Sequence, residues 1–239
     1  MRWTVSILLL AACQAADHGG YPVTPGGGGG GGGGGGPDAA VDAAATGDGG
    51  ATIAGRVCLI ADLRALGGCA AAGADGLTVT LGTSTATTAA DGGFTIATPA
   101  GTGLAWHVTG GAITPTVMPL GAVLQVPVIT AAQYGQLLLD NGVVLTADQG
   151  TLVAAVTQTG AVATGATVKP SPAGTWTFYD GASATTWDQH TTGPAGVAWL
   201  PGTAAGTVSV TVVPATGASH SFVGLPIEAG AITFAALAL

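Results

Sequence analysis

Charge is scarce in this 239-residue chain: Asp, Glu, Lys and Arg together make up 7% of it, with four cations against twelve acids and a formal net charge of −8. A soluble domain ordinarily carries about 25%. Four cations exclude a nucleic-acid interface, which needs a row of them to displace phosphate counterions. They exclude a polybasic membrane patch for the same reason. Aromatic residues stand at 5%, and there are only three cysteines. Helix-period segments of convincing length are also lacking, apart from short helical turns at Ile60–Leu66 and Thr130–Asp140.

What is present is Gly, Ala, Thr and Val, with a mean hydropathy of +0.57. Disordered chains combine low hydrophobicity with high charge. This composition does the opposite, so most of the chain can bury an apolar core and cover it with Thr, Ser, Gly and backbone.

The chain opens with a short cationic stretch, Met1–Thr4, followed by an apolar run, Val5–Ala12. Eight apolar residues cannot span a bilayer, which takes about 20. They match the length of a cleavable export signal. Leu10-Ala11-Ala12-Cys13 then resembles the bacterial lipobox, a branched aliphatic and two small residues before a cysteine. That resemblance implies cleavage after residue 12, with Cys13 carrying diacylglycerol and palmitate as the first mature residue. It implies no other cofactor. It places the protein at a bacterial membrane, and Gln14, where an Asp would mark inner-membrane retention, points to the outer membrane, on its periplasmic or surface face.

Residues 14–50 hold the run Gly26–Gly36 and scattered Pro, Asp and Ala, with no hydrophobic period. Such a segment is a flexible linker. Its 37 residues have an r.m.s. span of about 30–37 Å. Asp38, Asp42 and Asp48 keep it solvated. A phosphate-cradling glycine loop would need a strand–helix context and a following Lys-Ser/Thr, and neither is there.

From Ala51 onward, short period-two runs alternate with Gly and Asp turns, the pattern of antiparallel β domains. Gly55-x-Val57, the run Leu77–Thr83 ("LTVTLGT") and Thr88-x-x-Asp91-Gly92-x-Phe94-x-Ile96 resemble the carboxypeptidase regulatory-like (transthyretin-like) β-sandwich over residues 53–110. Asp91-Gly92 makes the tight turn and Phe94 points inward as the next strand begins. A second copy runs from Gly150, with Gly165, Ala166 and Val168 in one element and Gly193–Gly196, Val197 and Trp199 in place of the Asp-Gly-Phe turn. An immunoglobulin-like sandwich of another topology would read nearly the same there.

The expected fold is therefore all-β: two small antiparallel β-sandwiches, transthyretin-like or immunoglobulin-like, behind a disordered Gly-rich tether. The expected divisions are a signal peptide at 1–12, lipidated cysteine and linker at 13–50, a first sandwich at 51–122, a connector at 123–148 and a second sandwich at 149–239.

Chemistry is thinly provided. Cys58 and Cys69 flank a short loop and read as a disulfide in an oxidising compartment. Zinc would need two further ligands that the loop does not offer. The four histidines form no metal-binding set, and most acids sit beside glycine in turns. Ser183, Asp188 and His190 assemble a triad on paper without a nucleophile elbow.

The densest cluster is residues 174–199, where Trp176, Tyr179, Asp180, Trp187, Asp188 and His190 could bind a sugar or peptide, or where the rings simply build a core. Calcium on Asp180 and Asp188 would want six or more oxygens. No catalytic or metal residue is assigned. The expected role is non-catalytic display of β-sandwiches. The partners are membrane lipid through the anchor and an envelope protein or polysaccharide. A carbohydrate-binding module at 174–199 is the alternative, and a hydrolase comes third.

Overall fold

The β-branched and alternating stretches do become strands. The computed structural model describes residues 51–70, 74–121, 124–181 and 186–239. The signal segment, Cys13, the glycine tether and Ser183 lie outside the described residues.

Seven strands come first: β1 Thr52–Leu59, β2 Thr78–Leu81, β3 Ser84–Thr87, β4 Gly93–Ala97, β5 Ala105–Thr109, β6 Thr116–Pro119 and β7 Gln125–Val128. Helix α1, Ala131–Asp140, follows; the Thr130 hydroxyl caps it by accepting from the Gln133 N–H at 3.2 Å. Then come β8 Gln149–Gln158, β9 Ala161–Val162, β10 Thr167–Ser171, β11 Phe178–Tyr179, β12 Val197–Ala204, β13 Gly206–Val213, β14 His220–Ile227 and β15 Ile232–Ala238.

The pairings fall into two sets with the same pattern. In the first, β1 lies between antiparallel β4 and parallel β7, and β5 lies between β2 and β6. In the second, β8 lies between antiparallel β12 and parallel β15, and β13 lies between β10 and β14. The expected sandwiches were purely antiparallel. The parallel members β7 and β15 arise because each returns beside its first strand only after the chain has crossed through the facing sheet, the long connection a parallel pair requires.

A buried threonine organises each copy. The Thr88 Oγ1 accepts from the Leu77 N–H at 2.8 Å and its hydroxyl donates to the Ala74 carbonyl. The Thr192 Oγ1 accepts from the Ala166 N–H at 2.9 Å and donates to the Ala163 carbonyl at 2.5 Å. Four residues after each threonine stands a glycine with positive φ, Gly92 at 82° and Gly196 at 68°. Their carbonyls accept from the N–H of Val57 and Val156, both at 2.8 Å. A Cβ on either glycine would strike the carbonyl of that same valine. In the first copy Asp91 Oδ1 also accepts from the Gly93 N–H at 2.8 Å. Phe94 then closes over Gly55 and meets Trp106 edge-on, ring centroids 5.3 Å apart.

The copies share a sheet. Strand β15 pairs parallel with β6 through Ile232↔Thr116 and Thr233↔Val117, giving the order β11-β12-β8-β15-β6-β5-β2-β3 with β9 on β8. The described residues accordingly belong to one compact unit, Gly47–Leu239.

Strands β8, β12 and β15 are buried on both faces. Leu152, Ala154, Leu200 and Leu237 face the β10-β13-β14 sheet. Val153, Trp199, Ile232 and Phe234 face α1 and the loop holding Ile60 and Leu63. Two-sided burial explains why these strands read as nearly continuous apolar runs. Each large side chain so buried contributes about 1.5–3 kcal/mol.

Candidate functional site

The 174–199 cluster is distributed over core, loop and surface. Trp199 is fully buried. Phe178 stacks on it at 4.9 Å, and Trp187 tilts against it at 5.3 Å. Trp176 is half-buried at the edge of the same group, its ring so close to Gly202 that a Cβ there would lie 2.7 Å from it. Tyr179 is buried, and its hydroxyl both accepts from the Val168 N–H at 2.9 Å and donates to the Val168 carbonyl at 3.2 Å. Burial raises its pKa above the ordinary phenol value.

Asp180 is 1% exposed. Its Oδ1 accepts from the N–H groups of Gly193 and Val197 at 2.8 and 2.9 Å, and Oδ2 from Ala195 at 2.6 Å. All three donors belong to the turn that carries Gly196. The carboxylate that looked available for a ligand is a fastener for that turn, with both oxygens engaged by backbone N–H groups. Asp188, Gln189 and His190 are exposed. A hydrogen bond from Gln189 lowers the Asp188 pKa. Among the described residues no group of three or more His, Cys, Asp or Glu is placed to hold a metal ion.

Of the six candidates, Trp187 borders a cavity. A cleft of about 370 Å³ is lined by Asp62, Arg64, Gln133, Gln136, Asp140 and Trp187 over a floor of Leu63, Ile129 and Leu137. Arg64 holds Asp62 in a two-pronged pair, Nε to Oδ1 and Nη2 to Oδ2, both 2.8 Å. Its Nη1 donates to the Thr186 carbonyl at 3.0 Å, and its guanidinium lies 5.3 Å from the Trp187 ring centroid. Trp187 is 8% exposed, so this ring has no free face on which a sugar could stack.

Cys58 and Cys69 are joined as a disulfide with Cα atoms 4.7 Å apart. The bond closes the loop whose Ile60 and Leu63 are pinned in the core, and so positions Asp62 and Arg64.

Sequence reading missed five of the six polar and aromatic lining residues. Asp62 and Arg64 lie more than a hundred positions from Trp187, and Gln133, Gln136 and Asp140 sit on one face of a helix that carries no recognisable motif. The i, i+3, i+7 spacing of those three residues was the only available signal.

No described helix is long and apolar enough to cross a membrane. No family model matches the chain, and no curated protein does. Among solved structures it is similar to the Bacillus anthracis TIE protein, with 14% identity and a TM-score of 0.25, covering 68% of this chain and 31% of that one. It is also similar to GBS52, the minor pilin of Streptococcus agalactiae, with 9% identity and a TM-score of 0.26, covering 69% of this chain and 82% of that one. The chain thus spans about a third of the length of the first.

Proposed function

We propose that this is a lipid-anchored envelope protein whose glycine-rich stalk holds a non-catalytic β body away from the membrane, for contact with another macromolecule. One observation carries the reading: the lipobox at Leu10–Cys13 is followed by 37 residues without hydrophobic period and then by a single compact unit. Geometry supports the non-catalytic part. The most buried carboxylate, Asp180, is committed to three backbone donors. Asp62 is committed to Arg64, and Asp91 accepts from the Gly93 N–H in its own turn.

The test is metabolic labelling with an alkyne palmitate analogue, followed by membrane fractionation of the wild type and Cys13→Ser. Label and membrane association are expected in the wild type and lost in the variant. A wild-type protein that is unlabelled and soluble would refute the anchor.

A second reading, carbohydrate binding, is supported by the cleft beside Trp187. Carboxamide and carboxylate groups from Gln133, Gln136 and Asp140 line it, the groups that orient sugar hydroxyls. Recognition would proceed by hydrogen bonds, since Arg64 covers the ring. Glycan-array binding that disappears in Gln136→Ala at unchanged melting temperature would support it, and an array with no hits would end it.

A further inference from the structure

The duplicated topology leaves one sheet edge in two different states. Strand β6 of the first copy and β14 of the second are equivalent: each is the outer neighbour of the middle strand in its sheet, and each is held in the same register. Trp106↔Met118 and Val108↔Thr116 in the first correspond to Val210↔Phe222 and Val212↔His220 in the second.

On β6 the outward edge is used. The Ile232 N–H of β15 donates to the Pro115 carbonyl at 2.8 Å, while Leu120 turns the other way and donates to Leu104 at 2.8 Å. Residues 115 and 117 therefore face β15, and 116, 118 and 120 face β5. In the equivalent register the N–H and carbonyl of Ser221 face outward from β14. No strand pairs with that side among the described residues.

We infer that the outer edge of β14, residues 219–223, is a strand-addition site that accepts an uncharged extended segment of another polypeptide, running parallel as β15 runs beside β6. Three observations carry this. First, the edge type already accepts such a strand within this chain.

Second, apolar clefts adjoin β14 from Phe222 onward, at the C-terminal end of that edge. A cleft of about 320 Å³ lies between β14 and the first copy, with Leu104, Ala105, Pro119 and Leu120 on one side and Val223–Pro226 on the other. A second, of about 300 Å³, continues it past Phe222 to Ala235–Leu237. A strand bonded to β14 would turn alternate side chains onto this apolar floor, the arrangement in which backbone bonds give affinity and pockets give specificity. Val223 is 76% exposed at this place.

Third, no charged side chain lines either cleft, although the described body carries eight acids and three cations. A charged segment would be desolvated there without a partner. A neutral one is complementary.

Two other terminal strands are blunted: β10 carries Lys169 and Pro170, and β7 carries Pro127. A second copy could not repeat the β6–β15 joint, because its own β15 is occupied at Ile232 and Thr233 and its β7 has Pro127. With that joint closed to a second copy, the proposed occupant is a different chain, and self-pairing is an outcome of the test.

The inference names a surface for the protein-contact reading above, and its test is separable from the anchor. The probe is a blocked, fluorescein-labelled peptide with the sequence of residues 231–237 flanked by uncharged Ser-Gly extensions, titrated by anisotropy against the full chain in detergent. Saturable binding is expected. At least tenfold weakening is expected for a peptide N-methylated at its second and fourth residues, and for Ser221→Pro, which removes the outward-facing N–H. Ser221→Ala, which removes only the hydroxyl contact to Thr211, is expected to bind as wild type. In amide exchange on the wild type, the Ser221 N–H should become protected when the peptide is added.

Absence of saturable binding up to millimolar peptide would overturn the proposal. So would equal binding by the N-methylated peptide, or peptide-free dimerisation that Ser221→Pro abolishes. Cys13→Ser should leave peptide binding unchanged, so failure of the anchor and failure of this edge are read independently.

Discussion

Removing the Asp180 carboxylate tests whether this residue is a fastener or a ligand group. In Asp180→Ala the N–H groups of Gly193, Ala195 and Val197 lose their acceptor together, at a site that is 1% exposed. An unsatisfied buried donor costs about 1–3 kcal/mol. Releasing a desolvated charge returns part of that. The net loss is expected at roughly 3–5 kcal/mol. Asp180→Asn is the sharper comparison. Its carbonyl oxygen can still serve Gly193 and Val197, but its amide nitrogen would face the Ala195 N–H, donor against donor, for a loss of about 1.5–3 kcal/mol. Guanidinium unfolding followed by tryptophan fluorescence reads both variants, and in a unit of this size each kcal/mol lowers Tm by about 2–4 °C. An alanine variant within about 1 kcal/mol of wild type, or an asparagine variant as damaged as the alanine, would refute the reasoning. A ligand-binding carboxylate would leave the midpoint where it was.

Gly92→Ala should cost several kcal/mol, about 2–4, because φ is +82° and the new Cβ meets the Val57 carbonyl. Gly142→Ala, at φ +65° in open space, should cost only about 1 kcal/mol, and equal losses in the two denaturation curves would contradict the turn's role. Replacing Cys58 and Cys69 by serine opens a loop of sequence separation 11 and should lower stability by about 2.5–3 kcal/mol. An unchanged midpoint under reducing and non-reducing conditions would refute this. Burial raises the pKa of Tyr134, against the opposing hydrogen bond to Thr151, and raises that of Tyr179. Both folded values lie above the unfolded one of 10.0, so this stabilisation is whole below pH 10 and is lost as pH rises through the folded values. Tyrosinate absorbance at 295 nm, assigned with Tyr134→Phe and Tyr179→Phe, should lag behind that of free tyrosine. Ionisation of either residue at the ordinary midpoint in a folded protein would contradict the buried placement.

The fold class was legible because period-two runs and Gly-Asp turns report local geometry directly. Thr88, Asp91 and Gly92 could be read as a turn because each acts within a few residues of itself. The second turn kept its threonine and its positive-φ glycine but lost the Asp and the Phe, so the equivalence of Thr192–Gly196 emerges fully only from hydrogen bonds to Ala163, Ala166 and Val156. Strand partners were not legible. Alternation shows which face of β15 is buried, yet both of its faces are, and nothing in "ITFAALA" says that it will lie between β8 and β6.

The same limit explains why the aromatic cluster drew attention that the cleft deserved. Trp176, Phe178, Trp187 and Trp199 are concentrated in sequence because the β11–β12 pair and the long connection between its strands pack on one face of a twice-buried sheet, where large rings fill the space. Polar groups able to meet a ligand come instead from the disulfide loop and from α1, elements that the sequence shows only as weak helical turns. Their meeting depends on the core, where Leu63 and Tyr134 enter the same apolar cluster as Trp199. The two proposed contact surfaces accordingly differ in origin: the cleft beside Trp187 is built by elements outside the duplicated strands, and the bare edge of β14 exists because only the first copy's equivalent edge is taken.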